Sequence, residues 1–476
     1  MRNMKIENRV LKGYDGNDVH VSIPFLVREI GARAFLGDDT VESIDVPYSV
    51  TKIGESAFAR CTSLKSITLG GFLREIPDRL FRGCVSLESI VIPEGVVRIG
   101  KDAFADCNYL KSITLPTTLK EIDDGAFYGC NRLKDVKLPE GLTFIGKEVF
   151  YDNVSLEEIT LPAGIGKLSP KLFCGCSYLM KVGISEGITE IGISAFESCL
   201  NLKKVSLPQG MTHIGDYAFS GCAKLEKITL PDSVVHIGDG AFYSCAHLAD
   251  GDGFITVKNC LYGYVGRNVR PAVPHGVVKV SYGAFGSRGD IEAVSLPDTV
   301  TALGDFTFAH CTSLKEIVLP AAVREIPARA FIGCDSIEHF TVPDGIRSIK
   351  KGAFENCKGL KSVTLPDTVK ELGEYAFSNC TSLEAVSLPD GIEAVSQRTF
   401  RDCISLESIA VPEGVTEIGD GAFANCESLR HVELPKSLKV IGGGAFYCCT
   451  SLDKPALPDG IIEIGDYAFD GCPFKP

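Results

Sequence analysis

Apolar residues recur in short bursts along the chain, and the bursts keep one phase. In Leu110-Lys-Ser-Ile-Thr-Leu-Pro-Thr-Thr-Leu-Lys-Glu-Ile-Asp-Asp-Gly-Ala-Phe-Tyr-Gly-Cys130, residues Ile113 and Leu115 alternate with Ser112 and Thr114. That alternation predicts a half-buried strand with Leu110, Ile113 and Leu115 inward. Pro116 ends the strand because it has no N–H for the ladder. Leu119 and Ile122 begin a second short extended piece. Asp123-Asp124-Gly125 is turn chemistry, and Ala126-Phe127 is expected to tuck under as a short helical turn.

The unit repeats. Phe stands at 35, 58, 81 and on to 242 at a spacing of 23 residues, then at 285, 308 and on to 469 at the same spacing. Eleven residues before each Phe stands Pro, except at Gly70 and Ser185. Three residues after it stands Cys in 16 of the 19 copies, the exceptions being Asp38, Asn153 and Arg288. A piece of 23 residues cannot bury its own apolar side chains, so neighbouring coils must stack into one continuous core. With strands about 4.8 Å apart, such an array would run on the order of 90 Å.

The phase breaks once, between Phe242 and Phe285. Leu11-Lys-Gly-Tyr-Asp-Gly-Asn-Asp-Val19 and Leu261-Tyr-Gly-Tyr-Val-Gly-Arg-Asn-Val269 share one pattern, each 13 residues before a Pro. We read each as part of a β-hairpin: Ile6–Leu11 with Val19–Ile23 around Asp15-Gly16, and Phe254–Tyr262 with Val269–Val273 around Val265-Gly266. The resulting organisation is a hairpin cap at 1–24, a first repeat block at 25–248, an irregular hairpin insertion at 249–273 and a second block at 274–476. The insertion fits either a bulge from one unbroken solenoid or the cap of a second array. Exposed edge strands at a break favour the unbroken form.

Composition narrows the function. The chain has 476 residues, 45% hydrophobic and 23% charged, with a formal net charge of −13. That profile opposes disorder, and the missing basic field opposes binding to nucleic acid or to anionic membranes. No apolar run is long enough to span a membrane, and the first twenty residues hold no signal-peptide core, which points to the cytoplasm.

The pattern SLxSIxLPxxVxxIGxxAFxxC resembles the BspA-like leucine-rich repeat, a class with 23-residue units, over residues from about 20 to 472. The resemblance implies a curved, right-handed repeat solenoid with a parallel β-sheet, used for binding and adhesion at cell surfaces and not for catalysis. The partner would be another protein or surface macromolecule, met by a monomer without cofactor. An intracellular scaffold is the alternative reading.

Candidate sites weigh against plainer roles. A column of one Cys per coil cannot converge on a metal, so the ladder thiols read as small buried residues. His213 and His236 are 23 residues apart and would stack on an outward position, where a third ligand could complete a metal site. No arrangement of catalytic residues stands out. The outward strand positions are small and polar, with no aromatic column for stacking sugars. Among them Lys137, Lys181, Lys204 and Lys227 form a basic stripe on an acidic protein and are the first binding candidates. Tyr128 and Tyr151 share one phase on adjacent coils and are the second.

Overall fold

A computed structural model describes residues 3–474. The chain forms two compact units, Met1–Leu248 and Ala249–Pro476, and each is a parallel β-solenoid of stacked coils.

Each coil carries three hydrogen-bonded ladders. Strand Ser112–Thr114 pairs in parallel with Ser89–Val91, placing Ile113 on Ile90. Ile113 faces the core while Ser112 and Thr114 face solvent, and Leu115 beyond them is half-buried. The second strand, Glu121–Ile122, pairs with Arg98–Ile99 on one side and Phe144–Ile145 on the other.

The third ladder runs through the anchor Phe. The N–H groups of Gly125, Phe127 and Gly129 donate to the carbonyls of Lys147, Val149 and Tyr151 on the next coil, at 2.9, 3.0 and 2.8 Å. The intervening N–H groups of Ala126, Tyr128 and Cys130 donate three residues back within their own coil. This is a run of turns where a helical turn was expected. Two left-handed residues per coil, here Gly125 (φ 64°) and Gly129 (φ 68°), prevent a helix from propagating. Among the described residues the only helical segment is the 3-10 turn Ala246–Leu248.

The anchor rings stack. In the first unit the column runs from Tyr14 on Phe35 (5.0 Å between centroids) through Phe104–Phe127 (5.4 Å) and Phe127–Phe150 (5.6 Å) to Phe242. The second unit repeats it from Tyr264 on Phe285 (5.7 Å) to Phe469. Stacked rings near these distances add to their burial energy.

The hairpins differ from expectation. The first pairs Met4–Glu7 with Val10–Tyr14 around Asn8-Arg9, and the second pairs Phe254–Val257 with Cys260–Tyr264 around Lys258-Asn259. Asn8 and Arg9 take φ of 46° and 64°, the conformation of a two-residue hairpin turn. Asp15-Gly16 lies beyond this hairpin. His20–Ser22, expected in its second arm, belongs instead to the solenoid, parallel to Ser43–Asp45. Val269–Val273 likewise forms no hairpin arm, and Ala272 within it bridges Ser295 in parallel. The Tyr of the shared pattern is what closes each end, because it lays its ring on the first anchor Phe.

All 19 cysteines are free, and all but Cys448 and Cys472 are buried. The ladder thiols do more than fill space. Each donates to the carbonyl of the anchor Phe 26 residues earlier, as Cys130 does to Phe104 at 3.2 Å and Cys357 to Phe331 at 3.0 Å. That carbonyl also accepts an N–H from its own turn, such as Cys107 to Phe104 at 3.1 Å. Two of the three exceptions also donate to a backbone carbonyl of the preceding coil, and the third does not. Asn153 Nδ2 donates to the Phe127 carbonyl at 2.8 Å. The Arg288 guanidinium reaches the Tyr264 carbonyl at 3.0 Å. Asp38 caps its own turn, accepting the N–H groups of Thr40 and Val41.

Candidate functional site

The strand face shows two outward positions per coil, flanking a buried one. Lys181, Lys204 and Lys227 fall on the same outward position of three successive coils. Lys204 is in direct register with Lys227 on strands Lys204–Ser206 and Lys227–Thr229. Lys181 is in register with Glu158, and their charged ends lie 3.9 Å apart. Lys137 does not join this column. It sits two residues further along its own coil, in an open groove of about 320 Å³ with Asp135, Glu140, Glu158 and Lys181. The basic stripe is therefore three lysines in line, with carboxylates at the Lys137 end.

Tyr128 and Tyr151 lie on the turn side, apart from the lysines. Their rings stack at 5.0 Å, 3° from parallel, and both are half-buried. The neighbouring Cys174, followed by burial, pushes the Tyr151 phenol up to about 12. Burial comes first in raising the Cys174 thiol, also to about 12. Neither group ionises near neutral pH.

His213 and His236 are stacked as expected, with ring centroids 5.8 Å apart and tilted by 38°. Glu190 is in register with His213. Among the described residues no three His, Cys, Asp or Glu side chains come together as a metal site would require. A groove of about 630 Å³ elsewhere is open and lined by residues of both charges including Lys315, Glu338, His339 and Lys361.

Two features lay outside the sequence reading. One is a charge ladder immediately before the outward strand position: Lys65–Glu42, Lys111–Glu88, Lys134–Glu157 and Lys361–Glu338 pair across coils at 2.7 to 3.3 Å. Its signal was the alternation of Lys and Glu at the repeat spacing. The other is aromatic. Phe25 and Tyr48 are 52% and 62% exposed just past the strand, where later coils carry acids such as Glu94 and Asp344, and Phe72, one residue further along its coil, is 65% exposed. The Phe25 and Tyr48 rings meet at 4.7 Å. The strand positions themselves hold no aromatic column, but this lip stands beside them.

Short parallel strands, a stacked ring column and a buried thiol in most coils together define a leucine-rich repeat solenoid, a scaffold that typically mediates protein interaction and is generally not an enzyme. The particular family follows from the sequence of the coils. A profile of the BspA type leucine rich repeat region (6 copies) matches residues 28–155, 143–259, 271–361 and 347–475, and the chain belongs to that family.

Solved structures similar to it include a leucine rich cell surface protein from Faecalibacterium prausnitzii A2-165, 25% identical over 96% of this chain and 89% of that one (TM-score 0.27). A leucine-rich repeat protein from Bacteroides ovatus ATCC 8483 is 26% identical over 95% and 91% (TM-score 0.32). The leucine rich repeat protein of T. pallidum is 29% identical over 47% and 84% (TM-score 0.29). No curated protein sequence matches the chain.

Proposed function

We propose that the chain is a non-enzymatic adhesion module that docks another protein or surface macromolecule along its strand face. One observation carries this reading. The inward positions hardly vary from coil to coil, yet the outward strand positions vary along the array, from Ser43, Ser66, Ser89 and Ser112 through Asp135 and Glu158 to Lys181, Lys204 and Lys227, then Ser362, Ala385, Ser408 and His431. An invariant frame with a varied exposed row is how a repeat scaffold builds a specific surface. The free thiols do not argue for a reducing compartment, because burial seals all but two of them from oxidants.

Beads coated with the full chain should adhere to host cells. Ser66→Trp with Ser112→Trp should abolish adhesion, while Lys147→Trp on the turn side should leave it intact. Intact producing cells should yield the protein to a surface biotin reagent. Labelling only after lysis would return it to the scaffold role.

A further inference from the structure

The lysine column is unusual on physical grounds. Like charges directly opposite on paired strands destabilise a sheet. Lys204 and Lys227 are such a pair, on outward positions where other coils carry Ser. Among the described residues neither Lys204 nor Lys227 has a carboxylate in ion-pair reach. In the adjoining charge ladder Lys65, Lys111 and Lys361 pair with a glutamate on a neighbouring coil, whereas Lys203, between Met180 and Glu226, makes no ion pair among the described residues. Met180 is 49% exposed and Tyr178 beside it 61% exposed. Lys203, Lys204 and Lys227 thus put positive charge on two successive coils, with Lys181, shared with Glu158, on the coil before and an apolar edge beside it, on a chain whose net charge is −13.

Taking the strand face as the binding face, we propose that Lys181, Lys203, Lys204 and Lys227, with Met180 and Tyr178 at their edge, dock a short acidic, extended segment of a partner protein. Charge selects the sign of the partner. The acidic remainder of the chain selects its length, since a long polyanion would run from the patch into repulsion. The three rungs span about 10 Å, the reach of three or four residues of extended polypeptide. Met180 and Tyr178 offer contact to one apolar side chain of that segment.

The test uses the full chain and a fluorescein-labelled peptide of alternating Asp and Glu ending in Phe, with its Asn/Gln counterpart as control. Anisotropy titrations at low and high salt should show binding of the acidic peptide alone, weakening with salt. Lys204→Glu with Lys227→Glu should weaken it at least about tenfold and flatten the salt dependence. Lys101→Glu with Lys147→Glu makes the same charge change on the turn side and should leave affinity within about twofold. Met180→Glu, which adds a carboxylate to Lys203 on the coil before it, should weaken binding without lowering the melting temperature. Equal losses in the two double variants, no preference for the acidic peptide, or tighter binding of a heparin oligosaccharide would each overturn the proposal. Bead adhesion that persists in Lys204→Glu/Lys227→Glu but not in the Ser→Trp variants would leave the strand-face reading standing without it.

Discussion

Asn153 is the sharpest place to test how the thiol ladder works. It takes the position of a ladder cysteine, fully buried, and its Nδ2 donates to the Phe127 carbonyl at 2.8 Å. Its Oδ1, equally buried, has no protein partner. A cysteine there keeps a donor for Phe127 and removes the orphan acceptor. The N–H bond given up for a weaker S–H bond costs about 0.5 kcal/mol, and a buried unsatisfied oxygen costs about 1–3 kcal/mol. Asn153→Cys should therefore stabilise the first unit by about 1 kcal/mol, or about 2–4 °C for a unit of this size. The converse, Cys130→Asn, should destabilise by a similar amount. Urea titration followed by circular dichroism reads both, and an unchanged slope would show that only stability moved. If Asn153→Cys were neutral or destabilising, the thiol would be a mere space-filler and its bond to the Phe carbonyl immaterial.

Phe127→Ala and Phe377→Ala, each between two stacked rings, should cost roughly 3–5 kcal/mol, while Phe469, with the regular stack on one side and only the tilted Phe474 on the other, should cost clearly less; equal losses would refute the stacked core. In the folded protein most ladder thiols should resist a thiol reagent and all should react after denaturation. Burial lifts Cys357 from its ordinary value near 9 to about 12, so native thiols stay protonated where unfolded ones ionise, and stability must fall as pH rises above about 9. Unfolding at pH 8 and pH 10 measures this, and a flat profile would contradict it. We also propose that residues 1–248 and 249–476 are separate folding units, because each opens with its own hairpin and closing Tyr. Expressed alone, each should unfold cooperatively, and failure of either would favour a single indivisible array.

The repeat, the strands and the inward residues were legible because they are periodic: one buried ring per coil and a buried thiol in most coils leave a mark every 23 residues. Features that depend on how coils meet were not. Lys137 looked like a member of the lysine stripe because charge alone was followed, whereas a two-residue offset puts it in the other outward column. The hairpin turns were sought at Asp15-Gly16, where glycine advertises a turn, but the chain turns at Asn8-Arg9, which reaches positive φ without glycine. The thiol bond to the Phe carbonyl left no trace beyond the choice of Cys, since its acceptor is backbone one coil away.

The same positive-φ residues explain why the surface is suited to binding. Two residues before the anchor Phe, the chain places Arg79, Tyr217, Phe306 and Tyr375 at φ between 55° and 59°. Each such residue costs roughly 1–2 kcal/mol relative to ordinary backbone, and no single coil could hold it. The N–H groups there donate to the next coil, as Arg79 does to Lys101 at 2.8 Å and Tyr375 to Gln397 at 3.1 Å. The strained turn is therefore stable only in the stack, and stacking fixes the strand face within each unit. A partner meeting Lys181, Lys204 and Lys227 finds side chains on a backbone already ordered. The proposed contact would then cost little backbone freedom in the scaffold.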